Sequence, residues 1–207
     1  MSSSTHSEPT LTAPTLIEAA PTAPSFFANQ NLILNELTHT LAQVSEAQAS
    51  AAIHAILTAR RIFVTGAGRS GLALKMAAMR LMHLGLTVHV VGEITTPAIA
   101  ARDLLIAASG SGTTTGVVLS ALTAEKAGAN ILAITTAPRS TLASIASVVL
   151  VIPAATKQDT SATKSQQYAG VLFEQSVLLL TDALFQSMWH QLGETAEQLW
   201  KRHANLE

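Results

Sequence analysis

The chain contains no cysteine among its 207 residues, and charged residues make up only 12% of it. The missing cysteine excludes disulfide bonds, thiolate metal sites and cysteine nucleophiles, and it fits a reducing compartment, for which the cytoplasm is the default. The net charge of -1, with no run of Lys or Arg, argues against nucleic-acid binding. So little charge beside 48% hydrophobic residues leaves apolar surface on a monomer, which predicts a homo-oligomer.

The sequence also lacks a secretion signal and a membrane span. Residues 1–30 have neither a basic start nor a continuous apolar core, and four prolines interrupt any helical or strand period. We therefore expect a disordered N-terminal tail over residues 1–30 and one folded domain over residues 31–207. The apolar stretch 168–189 is long enough to cross a bilayer, but Glu174 and Asp182 interrupt it, which favours a buried helix.

Short β-branched runs alternate with segments of helical spacing through most of the domain. Strands separated by helices form a parallel sheet, and right-handed crossovers place helices on both of its faces. The sequence therefore predicts an α/β fold, a three-layer αβα sandwich of the flavodoxin or Rossmann kind with a five-stranded parallel sheet. Two helices are expected before the sheet, and a last helix is expected to run to the C-terminal residue. The five predicted strands are 61–65, 87–91, 103–109, 130–136 and 147–153.

Two glycine-rich turns directly follow predicted strands and lead into predicted helices. The first is TGAGRSG, residues 65–71, and the second is SGSGTTTG, residues 109–116. Ligands of such sheets bind beyond the carboxyl ends of the strands, so both turns lie at one edge and can converge on one ligand. Backbone amides at helix starts bind phosphate, and the sequence therefore predicts a phosphorylated ligand.

The phosphorylated ligand could be a dinucleotide or a phosphomonoester. The G-x-G-x-x-G spacing of the first turn also suits a dinucleotide, and Glu93 stands where such folds bind ribose hydroxyls. The second turn favours a phosphomonoester, because its hydroxyl side chains and bare glycine amides supply many donors at one helix start. The alternative for this turn is a serine-rich segment that merely caps the following helix.

Several ordered pieces of the chain resemble the SIS (sugar isomerase) family and, within it, the 6-phospho-3-hexuloisomerases. The pieces, from about residue 31 to the C-terminus, are GAGRSG, MRLMHLG, VVGE, TTP, SGSGTTT, SQ followed by FE, and RHANLE. The resemblance implies an isomerase that converts D-arabino-hex-3-ulose 6-phosphate, a phosphorylated ketohexose, to D-fructose 6-phosphate in formaldehyde fixation through ribulose monophosphate. It also implies a tetramer in which a neighbouring subunit completes each site.

The resemblance further implies roles for individual residues. Glu174 is implied as the proton acceptor of an enediol mechanism, although by its sequence context alone an ion pair in an oligomer core is equally open. Enediol chemistry needs no metal or other cofactor, and the sequence has no histidine pair at metal-ligand spacing. The residues implied to hold the substrate phosphate are Ser70, Ser109, Gly110, Ser111, Gly112, Thr113 and Thr114.

Three further residues are candidates from their positions. Arg69 stands at a helix start, where a cation opposes the helix dipole unless it faces an anion, so it is either substrate-binding or solvated. His203, in the RHANLE piece, is either a catalytic proton relay at a neighbour's site or an exposed terminal histidine. His83 ends a predicted helix, and a role in capping that helix is as open for this histidine as a role in catalysis.

Two other functions remain open. One is a non-catalytic phosphosugar-binding SIS protein, although such sensors are usually attached to a DNA-binding module, and the chain has no basic helix-turn-helix. The other is an aldose-ketose isomerase for a different phosphosugar.

Overall fold

A five-stranded sheet, parallel throughout, forms the centre of the computed structural model, which describes residues 24–156 and 164–206. The strand order is β2-β1-β3-β4-β5, and in the register Ile62 of β1 lies between Val88 of β2 and Leu104 of β3. The predicted parallel sheet is therefore confirmed. The strands are β1 (Ile62–Gly66), β2 (Val88–Val90), β3 (Leu104–Ala108), β4 (Asn130–Thr135) and β5 (Val148–Val151).

Helices cover both faces of this sheet and complete the three predicted layers. Helices α1, α2, α3 and α6 pack on one face, and α4 and α5 pack on the other. Serine or threonine side chains cap the starts of α1, α2, α5 and α7, as expected for residues that accept from the unpaired N–H groups there. The helices are α1 (Phe26–Leu41), α2 (Glu46–Thr58), α3 (Gly68–His83), α4 (Thr115–Lys126), α5 (Thr141–Ile145), α6 (Val171–Leu192) and α7 (Ala196–Trp200).

The strands supply side chains alternately to two hydrophobic cores. In β1, Ile62 and Val64 join the core beneath α3 and α6, whereas Phe63 joins the core beneath α4. This is the two-residue alternation of a strand that is covered on both faces. Each such side chain is almost wholly removed from water, which contributes about 1.5–3 kcal/mol per large apolar residue.

The buried carboxylate of Asp103 joins residues at the edge of the sheet where the strands begin. Asp103 is fully buried, and it accepts from Arg60 Nε at 3.0 Å, from Arg61 Nη2 at 2.6 Å and from the Ala100 N–H at 2.9 Å. Burial alone raises the pKa of Asp103, but the hydrogen bonds from the two arginines outweigh it and hold this pKa well below its usual range.

Both ends of the folded chain differ from the expectation. Helix α1 begins at Phe26, within the predicted tail, because Ser25 caps it, while residues 1–23 lie outside the described residues. The predicted helix through the last residue is wrong, since α7 ends at Trp200. The chain turns there because Arg202 donates to the His83 carbonyl oxygen and His203 stacks on the His83 ring. None of the helices in the described part of the chain is both long and apolar enough to cross a membrane.

Candidate active site

The two glycine turns meet in a cleft at the edge where the strands end. The space between its walls is about 490 Å³, part of which is open solvent. The cleft lies between the starts of α3 and α4, which directs two sets of helix N-terminal amides toward one place. Its lining residues are Ala67, Ser70, Ala108, Ser109, Gly110, Ser111, Thr114, Ala155, Thr156, Gly170 and Phe173.

The first turn brings the start of α3 directly onto the end of β1. Any side chain on Gly71 would overlap the carbonyl oxygen of Gly66, so this close approach of two backbone segments requires glycine there. Ser70 is only 7% exposed and lines the cleft next to Ala67. The first turn therefore contributes a hydroxyl group and the start of a helix to the cleft.

Hydrogen bonds to the carbonyl oxygen of Gly110 fix the conformation of the second turn. The Gly110 carbonyl oxygen accepts from the Thr136 N–H at 3.1 Å, from Thr135 Oγ1 at 3.1 Å and from Thr136 Oγ1 at 2.8 Å. In a trans peptide the N–H of the next residue points the opposite way, so the Ser111 N–H is directed away from β4. Within residues 24–156 and 164–206, no acceptor is found for this N–H. The turn thus offers the cleft an amide donor beside its hydroxyl groups.

The remaining side chains of the second turn shape it. Ser109 Oγ and Thr114 Oγ1 lie 2.8 Å apart, which ties the two ends of the turn together. Gly112 has a φ of +64°, and a side chain there would collide with Ser140. Thr113 Oγ1 donates to Ser111 Oγ at 3.0 Å. Of the residues implied to hold phosphate, Ser70 and four of this turn line the cleft, whereas Gly112 and Thr113 do not.

Glu174 lies beside the cleft, in the first turn of α6. Its side chain is 10% exposed, and its Oε2 lies 3.3 Å from Nε of Arg69, whose side chain is 60% exposed. Gly170 and Phe173, in the same turn, line the cleft directly. The structure thus brings together the predicted Glu174 and Arg69, the residue before Ser70, but neither Glu174 nor Arg69 is among the residues that line the cleft. A carboxylate in the first turn of a helix also interacts favourably with the helix dipole.

His203 does not lie at the cleft of its own chain. Its ring stacks on His83 with 4.8 Å between ring centroids, and His83 ends the same helix whose start lines the cleft. Ser70 and His83 are thirteen positions apart on α3, which is about 20 Å along the helix axis. Burial lowers the pKa of His83, and the neighbouring His203 and Arg80 lower it further.

In a dinucleotide site Glu93 would bind ribose hydroxyls, but in this structure its partner is Lys75. Lys75 Nζ lies 2.7 Å from Glu93 Oε1, and the hydrogen bond from this lysine lowers the pKa of Glu93. Both side chains are about half exposed, and neither lines the cleft. In the described ranges, no three His, Asp or Glu side chains are grouped closely enough to bind a metal ion.

Part of the cleft wall was not predicted from the sequence. Ala155 and Thr156 come four and five positions after the end of β5, so the rule that ligands bind beyond strand ends could have identified them. Phe173 precedes Glu174 within the FE piece, but nothing in the sequence marks its ring as a wall. Glu36, on α1, was also missed; it accepts hydrogen bonds from the three residues 165–167, which lead into α6.

Comparison with known proteins gives one consistent family. The SIS domain model matches residues 55–179. The 3-hexulose-6-phosphate isomerase of Mycobacterium gastri is 57% identical over 179 residues, which cover 86% of this chain and 90% of that protein. The Bacillus subtilis 3-hexulose-6-phosphate isomerase is 40% identical over 84% of this chain and 95% of that protein. A crystal structure from Methanococcus jannaschii, from which a function of 3-hexulose-6-phosphate isomerase was inferred, superposes with a TM-score of 0.74 at 30% identity, covering 86% of this chain and 99% of that one.

Proposed function

The chain belongs to the SIS domain family, and on that premise we propose that it is a 3-hexulose-6-phosphate isomerase. The observation that carries this function is the 57% identity to the Mycobacterium gastri isomerase over most of both chains. The reaction converts D-arabino-hex-3-ulose 6-phosphate to D-fructose 6-phosphate. A base takes the proton from carbon 2, an enediol forms between carbons 2 and 3, and a proton returns to carbon 3 while the carbonyl group moves to carbon 2.

The substrate phosphate binds in the cleft between the starts of α3 and α4. Ser70 contributes a hydroxyl group from the first turn, and Ser109, Ser111 and Thr114 contribute hydroxyl groups from the second. The backbone N–H of Ser111 adds a donor at the positive end of a helix dipole, where an anion is stabilised. Gly112 and Thr113 act indirectly, since they keep the turn in its conformation.

Glu174 is the base that moves the proton between carbons 2 and 3. It is a mostly buried carboxylate on the helical turn that forms one wall of the cleft, so a sugar chain extending from the phosphate passes close to it. Arg69 orients this carboxylate through the 3.3 Å contact, and its mostly exposed guanidinium is placed to stabilise the negative charge that develops on the enediolate oxygens.

A homotetramer is part of the same proposal. Leu72, Met76 and Met79 are 61%, 53% and 57% exposed, and their spacing places them on one face of α3, the helix that begins at the cleft. Burying this apolar face against another subunit removes it from water, and the proposal assigns His203 of a neighbouring subunit as a proton relay at the site. Met76→Glu is expected to lower the mass measured by light scattering, whereas an unchanged mass would contradict this interface.

The isomerase unit proposed here comprises residues 31–207, extended at its start by the first turn of α1 from Phe26. A cytoplasmic location is proposed with it, and the absence of cysteine supports that location.

The function is tested by a coupled assay. The protein is mixed with ribulose 5-phosphate, formaldehyde and a hexulose-phosphate synthase, and fructose 6-phosphate is measured against a reaction that lacks the synthase. The expected result is formation of fructose 6-phosphate that depends on both proteins. Binding of the hexulose phosphate without turnover would instead indicate a phosphosugar-binding protein, and turnover of only an aldose phosphate would indicate an aldose-ketose isomerase.

A further inference from the structure

Glu36 connects helix α1 to the segment that leads into the catalytic helix. Its carboxylate accepts from the Ser165 hydroxyl at 2.7 Å, from the Gln166 N–H at 2.7 Å and from the Gln167 side-chain amide at 2.9 Å. The Gln167 N–H also donates to Ser165 Oγ at 3.0 Å, so the three residues form one compact turn around a single carboxylate. We call these contacts of Glu36 with Ser165, Gln166 and Gln167 the Glu36 latch.

The latch depends on the charge of Glu36. Partial burial alone raises the pKa of Glu36, but the hydrogen bonds from the Gln166 N–H, the Gln167 amide and the Ser165 hydroxyl outweigh it and lower this pKa. The three donors are uncharged and converge on both carboxylate oxygens. Hydrogen bonds to an ionised acceptor are shorter and stronger than those between neutral groups, so an amide in place of the carboxylate cannot reproduce the latch.

The latch is only a few residues from the catalytic turn. Gly170 follows Gln167 by three positions, lines the cleft, and accepts from the Glu174 N–H at 3.2 Å. Between them Ala169 has a φ of +51°, a left-handed conformation that a residue with a side chain adopts only when its surroundings hold it there. A short constrained segment therefore joins the latched turn to the start of α6.

The start of α6 has no side-chain cap, a feature that it shares with α3 and α4. Gly170 stands at its N-cap position and offers no side-chain hydrogen bond, whereas serine or threonine side chains cap α1, α2, α5 and α7. Helix α1, which carries Glu36, packs directly against α6. The latch thus fixes, from α1, the segment that leads into the uncapped start of the helix that carries Glu174.

We propose that Glu36 is a positioning residue of the isomerase, which holds residues 165–170 so that Glu174 stands at the correct distance from the sugar. This inference rests on the proposed function for its kinetic consequence, but the physical claim concerns the start of α6 alone. The phosphate turn 109–114 has its own hydrogen bonds to β4 and α5, so phosphate binding does not depend on Glu36.

The kinetic test compares Glu36→Gln with Glu46→Gln, a matched change at an exposed glutamate on the neighbouring helix α2. Because a displacement of about 1 Å of a catalytic group costs about 100-fold in rate, we expect kcat of Glu36→Gln to fall about 10- to 100-fold while KM changes less than about 3-fold. Glu36→Asp, which keeps the charge, is expected to recover part of the loss. A purely structural role would leave kcat per folded molecule unchanged, and that result would overturn the proposal.

A second measurement tests the latch without using activity. Hydrogen exchange of the backbone amides of residues 170–175 is expected to be at least about 10-fold faster in Glu36→Gln than in the wild type and in Glu46→Gln. Gln167→Ala, a milder change on the other side of the latch, is expected to raise the same exchange rates and keeps the test informative if Glu36→Gln fails to fold. Unchanged exchange in a folded variant would refute the latch, whereas an inactive wild type with faster exchange in the variants would refute only the isomerase function.

Discussion

Replacing Asp103 by Asn gives the sharpest test of how the fold is held together away from the cleft. Asp103 is fully buried at the edge where the strands begin, and it accepts hydrogen bonds from Arg60, Arg61 and the Ala100 N–H. An asparagine has nearly the same size, but it directs an N–H₂ donor at groups that are themselves donors. Two guanidinium groups then lose their counter-charge.

The loss of stability expected for Asp103→Asn depends on how exposed Arg60 and Arg61 are. Breaking a fully buried ion pair costs about 3–5 kcal/mol, but the Arg60 and Arg61 side chains are 49% and 22% exposed, so solvent compensates part of the loss. We therefore expect the free energy of unfolding to fall by about 3 kcal/mol. For a chain of this length, 1 kcal/mol shifts Tm by about 2–4 °C, so the expected decrease in Tm is about 6–12 °C.

The lowered pKa of Asp103 determines the direction in which its contribution to stability changes with pH. The pKa of Asp103 is lowered in the folded state, so its stabilisation is complete above the unfolded pKa of about 3.9 and is lost as pH falls toward the folded pKa. Thermal unfolding followed by circular dichroism, at one fixed protein concentration, should show the full difference at pH 7 and a smaller one at pH 3. A variant whose Tm at pH 7 lies within about 2 °C of the wild type would refute this account of the edge.

Two further changes test the cleft and the C-terminal contact. Ser109→Ala removes a hydroxyl group that lines the cleft and contacts Thr114, so KM should rise about 10-fold with a smaller change in kcat, and an unchanged KM in steady-state kinetics would exclude Ser109 from phosphate binding. Burial and the neighbouring His203 and Arg80 lower the pKa of His83, so the folded state resists protonation and stability is lost as pH falls below the unfolded pKa of about 6.5. His83→Gln should therefore flatten the dependence of Tm on pH between about 5 and 7, and a slope equal to that of the wild type would contradict the assigned cause.

The layered fold was predictable because local signals agree along the chain. The apolar run of β3, LLIAA, is buried at all five positions, which is the pattern of a central parallel strand covered on both faces. The two glycine turns were predictable for the same reason, since a strand that ends in glycines and small hydroxyl residues before a helix has few other uses. Their convergence on one cleft follows from parallel topology alone.

The parts that escaped prediction depend on contacts between residues far apart in sequence. The C-terminal segment has helical composition, yet Arg202 and His203 leave the helix because they contact His83, 119 residues away for the hydrogen bond of Arg202. The Glu36 latch joins residues about 130 positions apart, and an isolated glutamate on an amphipathic helix carries no mark of such a role. The pairing of Arg69 with Glu174 likewise appears only when α3 and α6 are packed together.

The central claim, that Glu174 moves a proton of a sugar held by its phosphate, is tested most directly by Glu174→Gln. Glu125→Gln, on the exposed side of α4, is the matched control. The variant should bind the hexulose phosphate with a Kd within a few-fold of the wild type by calorimetry, while kcat for fructose 6-phosphate formation falls at least about 1000-fold, as expected for loss of a general base. A Glu174→Gln protein that turns over substrate as fast as the Glu125→Gln control would contradict the account.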